Sequence, residues 1–542
     1  MTATRNAKVL VCDTIAQEGL DKLAEAGEVT VKTGLSEDEL CGAAADVDAI
    51  VVRSSSRVTA KVLAAAPHLR IVGRAGVGVD NIDVGEASAR GIVVVNSPEG
   101  NTRAAAEHAI ALLLAVTRSI PEGDSRMRGR NWKRSDLLGN EVRGKVLGLV
   151  GLGKVGSQVG RMARGLGMRV IANDLALSDD RCRQLDIEPK ELDDLLREAD
   201  FVSLHVPLTE STRGMIGERE IALMKPAARV VNSSRGGVID EAALAAALKE
   251  GSLAGAAIDV YSSEPSPPWD SPLMDAPNTV LTPHLGASTT EAQIGAAMDV
   301  AEQIVEVLQG GPPRHAVNLP MIIPEEFAEL RPWLALIERM GLLVSHLAKG
   351  GLRAVRVTYS GGVAAYDCTM ATRRFIVGLL RRVVSGEIND VNAIIYANER
   401  GAAVSEVKVG EHPVFQSLVR AEAECDEGTF VVEGSLRGRG EPRVVLINEF
   451  RVDVEPVGRL LLLEAPDQPG VIGKVGTLLG SRGINIAQMH VGQSASEPVQ
   501  LMVLNLEGDV PSGVLNELTA LECLRSVHLV DLPPVPPLAD RS

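Results

Sequence analysis

The stretch that most limits what this chain can become is residues 145–174, KVLGLVGLGKVGSQVGRMARGLGMRVIAND. It reads as an apolar strand, a glycine turn, an amphipathic helix and a second apolar strand that ends in an acid. Gly151, Gly153 and Gly156 fall at GxGxxG spacing between the predicted strand and helix. The first glycine permits a tight turn, the second lets the backbone approach a pyrophosphate, and the third lets the helix pack on the strand; the helix N-terminus then faces the phosphates. Lys154 and Val155 supply its first amides. Asp174 can accept hydrogen bonds from both ribose hydroxyls, and its charge repels a 2′-phosphate, so NAD is expected rather than NADP. Leu175 and Ala176 follow it, not arginine.

The same alternation surrounds this unit. Residues 8–95 interleave short Val/Ile runs with helical stretches, an α/β pattern with a parallel sheet. A long helical segment, RAAAEHAIALLLAVTR, leads out of it, and residues 145–280 repeat the pattern. A helical stretch at 289–308 and the linker GGPPRHAVNLP look like a return to the first unit. The expected layout is therefore a nucleotide-binding domain, 98–284, inserted in a discontinuous substrate domain, 1–97 and 285–320. The remainder has no phosphate-cradling loop: 321–455 reads as an α+β module, and 456–542 opens as strand, turn, helix, turn, strand. With 542 residues, three or four domains are expected.

A net charge of −16 and the absence of a basic stripe exclude nucleic acid, and any anionic ligand needs local positive charge. The six cysteines lack CxxC or metal-ligand spacing, so reduced thiols and no metal are expected. No signal-peptide core or run of membrane-spanning length appears, which points to the cytoplasm and no membrane partner.

Three predicted strand ends carry polar residues: NSSRGGVID with Arg235, DVYSSEP with Glu264 and TPHLGAST with His284. Open parallel sheets bind ligands beyond the carboxyl ends of their strands. Oxidising a secondary alcohol needs a base for the hydroxyl proton while hydride leaves carbon, and imidazole suits that exchange. His284 is the candidate base. Glu264 would fix its tautomer and stabilise the imidazolium, and Arg235 would clamp the substrate carboxylate and polarise the C2 oxygen. His108 and His205 read as structural. Gly73, Gly76 and Gly78 in VGRAGVGVDNID lack the dinucleotide spacing, and Arg74 among them marks a substrate loop.

The Arg, Glu, His order and the inserted nucleotide domain resemble the D-isomer-specific 2-hydroxyacid dehydrogenases. Within them VRSSSRVT, GRAGVGVDNID, NSPEGNTRAAAEH, GLGKVG, NSSRGGVIDE and TPHLGAST resemble the members that act on 3-phosphoglycerate. The resemblance implies a Rossmann-type domain within a flavodoxin-like one, followed by an intervening domain and a ferredoxin-like ACT domain. It implies oxidation of D-3-phosphoglycerate to 3-phosphohydroxypyruvate with NAD, the first step of L-serine biosynthesis. Arg53, Ser54, Arg74 and Asn101 match its phosphate and carboxylate contacts, and Arg134 in NWKRSDLLG matches a loop that reaches a neighbouring subunit. A homodimer or homotetramer follows. The backbone around Val206, Ser233 and Asp259, together with the loop from His284 through Leu285, Gly286 and Ala287, would line the dinucleotide. Asp467 and Asn485 match effector positions, implying feedback by L-serine, although Ala465 departs from the larger residue common there. Two alternatives stay open: another small 2-hydroxyacid such as glycerate or glyoxylate, and an NADH-sensing binding protein of the corepressor kind.

Overall fold

The computed structural model describes residues 6–175, 179–264, 268–321, 324–438, 440–494 and 496–533. Ala176, Pro265 and the last nine residues of the expected 456–542 domain lie outside them.

Five short strands open the chain: β1 (Ala7–Val11), β2 (Gly27–Val31), β3 (Ala49–Val52), β4 (Ile71–Arg74) and β5 (Val93–Asn96). Their order is β2-β1-β3-β4-β5, with β1 parallel to both neighbours, the flavodoxin-like arrangement. All four residues of β3 are buried, as a strand covered on both faces requires. The helix Thr102–Thr117 carries the chain into the second sheet. That sheet comprises β6 (Val146–Val150), β7 (Arg169–Asn173), β8 (Glu188–Pro189), β9 (Phe201–Leu204), β10 (Arg229–Asn232), β11 (Gly255–Ile258) and β12 (Thr279–Leu281). Its order is β12-β11-β10-β9-β6-β7-β8, parallel throughout, so the winding reverses between β6 and β9 and opens a ligand crevice at their carboxyl ends. The helix Thr290–Leu308 returns as expected, laying Val300 and Ile304 over Gly73 of β4. A Cβ at Gly73 would come within 2.5 Å of Val300.

The third sheet holds β13 (Leu352–Gly361), β14 (Ala403–Val409), β15 (Ser417–Cys425), β16 (Gly428–Arg437), β17 (Glu441–Ile447) and β18 (Phe450–Val454), in the order β14-β13-β15-β16-β17-β18. Two local features shape this region. The run RVVLINEFRVDV is a hairpin, because Asn448 takes the left-handed conformation, φ +52°, and folds β18 back on β17. The helix Pro324–Leu347 passes through Pro332, and its Gly341 crosses Gly378 of the helix Thr369–Leu380 so closely that a Cβ on either would overlap the other backbone.

The last sheet contains β19 (Gly458–Pro466), β20 (Asn485–Gln493), β21 (Val499–Glu507) and β22 (Ser526–Leu532), ordered β20-β21-β19-β22. Helices Val471–Ser481 and Ser512–Thr519 complete a βαββαβ unit. One face of this sheet, with Leu460, Leu462 and Val503, shares an apolar core with Leu336, Tyr359 and Phe375, while Leu461, Leu463, Val475, Leu479, Leu504 and Leu518 form a core of the unit's own. By packing the chain forms two compact units: residues 1–68, 73–82 and 96–305, and residues 69–72, 83–95 and 306–542. Among the described residues no helix is long and apolar enough to cross a membrane, and the six cysteines are free thiols.

Candidate active site

At the crevice, Gly151 turns the chain with φ +94°, and a Cβ there would lie 2.6 Å from the His205 carbonyl and 2.9 Å from Val206 Cγ1. A side chain at Gly156 would overlap the Gly151 carbonyl, while the space beside Gly153, which caps the helix Lys154–Gly165, is open to 4 Å. The turn is thus closed on the protein side and bare where a pyrophosphate must come, which fits a dinucleotide. Val206 packs on this turn, and Ser233, just past β10, has a buried hydroxyl without a hydrogen-bond partner. Asp174 stands at the end of β7 as expected, with Oδ2 accepting from the Leu152 amide at 2.7 Å. The ammonium of Lys154 pairs with Glu99 at 2.8 Å.

His284 Nδ1 lies 2.7 Å from Glu264 Oε2, and the other oxygen, Oε1, accepts from the Tyr261 amide at 2.9 Å. The carboxylate is therefore anchored before it meets the ring, and it fixes the proton on Nδ1. The opposite nitrogen, Nε2, is left as a proton acceptor on a side chain that is 47% exposed. His284 has φ +54°, a conformation costing a non-glycine residue on the order of 1 kcal/mol.

Asp259 supports that strain. Its carbonyl accepts from the His284 amide at 2.9 Å. Its carboxylate accepts from Leu285 N (2.8 Å), Gly286 N (3.0 Å) and Thr282 Oγ1 (2.5 Å), with His108 Nε2 at 3.1 Å. The side chain is fully buried and engaged, and it builds the loop 282–286. Burial alone would raise its pKa, but the bonds from His108, Thr282 and Leu285 outweigh burial and hold it below the usual range.

The arginines gather on the other wall. Asn232 binds the Arg235 carbonyl (3.0 Å) through Nδ2 and accepts from the Ser234 amide (3.1 Å), which shapes the loop carrying Arg235. Arg235 rests against Gly78, where a Cβ would overlap its guanidinium, and Asp80 lies 3.5 Å from Nε. Gly76 makes room for the guanidinium of Arg74 in the same way. Burial, then the charges of Arg235 and Arg53, push Arg74 down from 12.5 to about 10, and its Nε is buried without a partner. Arg53 sits in a loop that Asp13 ties through the amides of Arg53 (2.5 Å) and Ser56 (3.2 Å), with Asn81 donating to the Arg53 carbonyl at 2.8 Å. Ser54 is exposed in that loop. Asn101 precedes the helix Thr102–Thr117, its Oδ1 buried without a partner. Arg53, Arg74 and Arg235 thus make a positively charged cluster in which Arg74 Nε has no hydrogen-bond partner.

Arg134 lies apart, on an exposed loop where Trp132 is 77% and Leu138 93% accessible. Asp467 bonds Gln493 at the end of β20, whereas Asn485 bonds Glu507 at its start. Eight steps of about 3.3 Å put roughly 26 Å between the two ends, so one chain does not bring these two together. Ala465 is wholly buried. Sequence reasoning missed Asp13 and Asn232, polar residues at or just past strand ends, and Asn81 in the loop after β4, and it gave His108 no task beyond a structural one.

Residues 110–286 match the profile of the D-isomer specific 2-hydroxyacid dehydrogenase NAD binding domain, 329–448 that of the D-3-phosphoglycerate dehydrogenase intervening domain, and 459–523 that of the ACT domain. A D-3-phosphoglycerate dehydrogenase of Synechocystis sp. is 44% identical over 97% of this chain and 95% of its own, and one of Archaeoglobus fulgidus is 43% identical over 97% and 100%. The chain belongs to the D-3-phosphoglycerate dehydrogenase family. It is an NAD-dependent dehydrogenase, with the Rossmann, intervening and ACT units in the expected order. Among solved structures, the TT0316 protein of Thermus thermophilus is 36% identical with TM-score 0.53 over 57% of this chain and 99% of that one. A glyoxylate reductase of Paecilomyes thermophila is 28% identical with TM-score 0.54 over 58% and 99%.

Proposed function

We propose that this chain oxidises D-3-phosphoglycerate at C2 to 3-phosphohydroxypyruvate, the first step towards L-serine. The observation that carries the reading is the Glu264–His284 pair in one unit with a cluster of three arginines, of which Arg74 is largely buried with its Nε unpartnered. Gly151, Gly153 and Gly156, with the Lys154 and Val155 amides and Asp174, would hold NAD, and the backbone around Val206, Ser233 and Asp259, with Leu285, Gly286 and Ala287, would line it. Bound NAD supplies the hydride acceptor. His284 Nε2 takes the C2 hydroxyl proton, and Glu264 stabilises the charge that results. Arg235 orients the carboxylate and polarises the C2 oxygen, while Arg53, Ser54, Arg74 and Asn101 hold the phosphate end. In this reading 1–97 with 285–320 bind substrate, 98–284 bind NAD, and 321–455 with 456–542 regulate, all in the cytoplasm.

The exposed Trp132 and Leu138 beside Arg134 suit a second copy of the chain, as a homodimer or homotetramer. Opposite ends of β20 meet only if two copies pair antiparallel, so an L-serine site would take Asp467 from one chain and Asn485 from the other. Initial rates of NADH formation with 3-phosphoglycerate, a trap for the product, and His284→Ala as control test the reading, with and without L-serine. Turnover abolished by the substitution supports the chemistry, and inhibition by L-serine supports the effector. Turnover indifferent to L-serine removes the effector alone, and no turnover refutes the substrate.

A further inference from the structure

We infer that His108 is a positioning residue for proton transfer at His284, acting through Asp259. The inference rests on the proposed roles of His284 and Glu264 and adds a residue to them. The loop 282–286 is held from two directions. Asp259 grips it from β11 by four bonds: its carbonyl to the His284 amide, and its carboxylate to Leu285 N, Gly286 N and Thr282 Oγ1. His108 approaches from the helix Thr102–Thr117, with Nε2 3.1 Å from Asp259 Oδ1 and 3.4 Å from Thr282 Oγ1. Positions 101, 105 and 108 lie on one face of that helix, at i, i+4 and i+7. Ala105 on this face lies 4.0 Å from where a Cβ of Gly286 would stand, and Asn101 at its start is a substrate candidate.

One helix face therefore carries a substrate contact at its N-terminal end, a bed for the catalytic loop one turn on, and a hydrogen-bond donor to that loop's anchor after two. This places the base and the substrate in register through a single rigid element. A buried carboxylate that accepts three protein donors could build the loop without His108. What His108 adds is a tie between the loop and the helix that links the two sheets of this unit.

The test uses full-length enzyme carrying His108→Leu, which removes the donor, and His108→Gln, whose amide can donate from nearly the same position. Turnover is followed with ordinary and C2-deuterated 3-phosphoglycerate at saturating NAD, and amide hydrogen exchange is read over 282–287. The leucine variant is expected to lose about 100-fold in kcat with little change in KM, as small misplacements of a reacting group do. Its deuterium isotope effect on kcat rises because chemistry becomes slow, its loop amides exchange faster, and the glutamine variant recovers most of both. A leucine variant with unchanged loop exchange overturns the inference whatever the substrate proves to be. So does a rate loss with an unchanged isotope effect, which marks fewer active molecules, or a glutamine variant no better than leucine.

Discussion

Replacing Arg74 by methionine should make the ligand-free enzyme more stable and strip it of affinity for its substrate. The guanidinium is largely buried, its Nε lacks a partner, and its nearest unlike charges, Asp80 and Asp13, are outweighed by burial and by Arg235 and Arg53. A fall from 12.5 to about 10 is worth roughly 3 kcal/mol against the folded state at ~1.4 kcal/mol per tenfold change in proton affinity. Methionine keeps the apolar stem and removes the charge. Loss of the attraction to the aspartates takes back part of the gain, so about 1–2 kcal/mol should remain.

The sign holds across the working range. Below about pH 10 the arginine is protonated in both folded and unfolded chains, so the penalty is fully present and its removal does not depend on pH from 5 to 9. Thermal melts with and without inorganic phosphate or 3-phosphoglycerate provide the assay. The parent enzyme should gain stability as the anion fills its site, following the ratio of ligand to Kd. The variant should melt a few degrees higher without anion and gain little with it. A variant that melts lower in the absence of anion, or is stabilised by substrate as much as the parent, refutes the claim that Arg74 is a stored cost repaid by the ligand.

Glu264→Gln keeps an oxygen near His284 Nδ1 but removes the charge that steadies an imidazolium; kcat should fall about 10²- to 10³-fold with KM little changed. A kcat near that of the parent would reduce Glu264 to a tie for Tyr261. Asp174→Ser should raise the KM for NAD about tenfold and narrow its advantage over NADP, measured by steady-state kinetics with both. Burial pushes His205 down to about 4, against 6.5 unfolded, so the unfolded chain binds the extra proton between those values. Stability is therefore fully present above pH 6.5 and falls by up to about 3 kcal/mol on acidification through 4. His205→Gln should flatten that limb in denaturant titrations at pH 7 and 4.5, and an unchanged slope would show the imidazole to be solvated.

The legible parts were those in which chemistry and local conformation use the same residues. Gly151 must be glycine both to turn at φ +94° and to clear the His205 carbonyl, so its spacing could be read before any fold was known. The inserted layout was equally open, since 145–280 repeats a pattern that the helix Thr290–Leu308 then closes. The hairpin at Asn448 was hidden because its two arms share one strand-like texture, and only a left-handed φ at a single asparagine parts them. The tie from Asp13 to the Arg53 loop joins residues 40 apart, a distance that no local pattern reports.

Asp259 and the glycines around Arg74 show why the site itself was only partly readable. An aspartate at the end of a strand in a nucleotide-binding sheet points to a ligand by position, but nothing local shows that the carboxylate of this one is engaged by the amides of Leu285 and Gly286. Gly76 and Gly78 sit in a glycine-rich turn after a strand and could pass for a phosphate loop. Their missing side chains serve two guanidinium groups instead, making space for Arg74 and Arg235 to come together in a protein of net charge −16. Like charges gathered in this way are unfavourable until an anion arrives, and under the proposed function that unfavourable arrangement would give a doubly charged substrate its reason to bind in this cleft rather than elsewhere on an acidic surface.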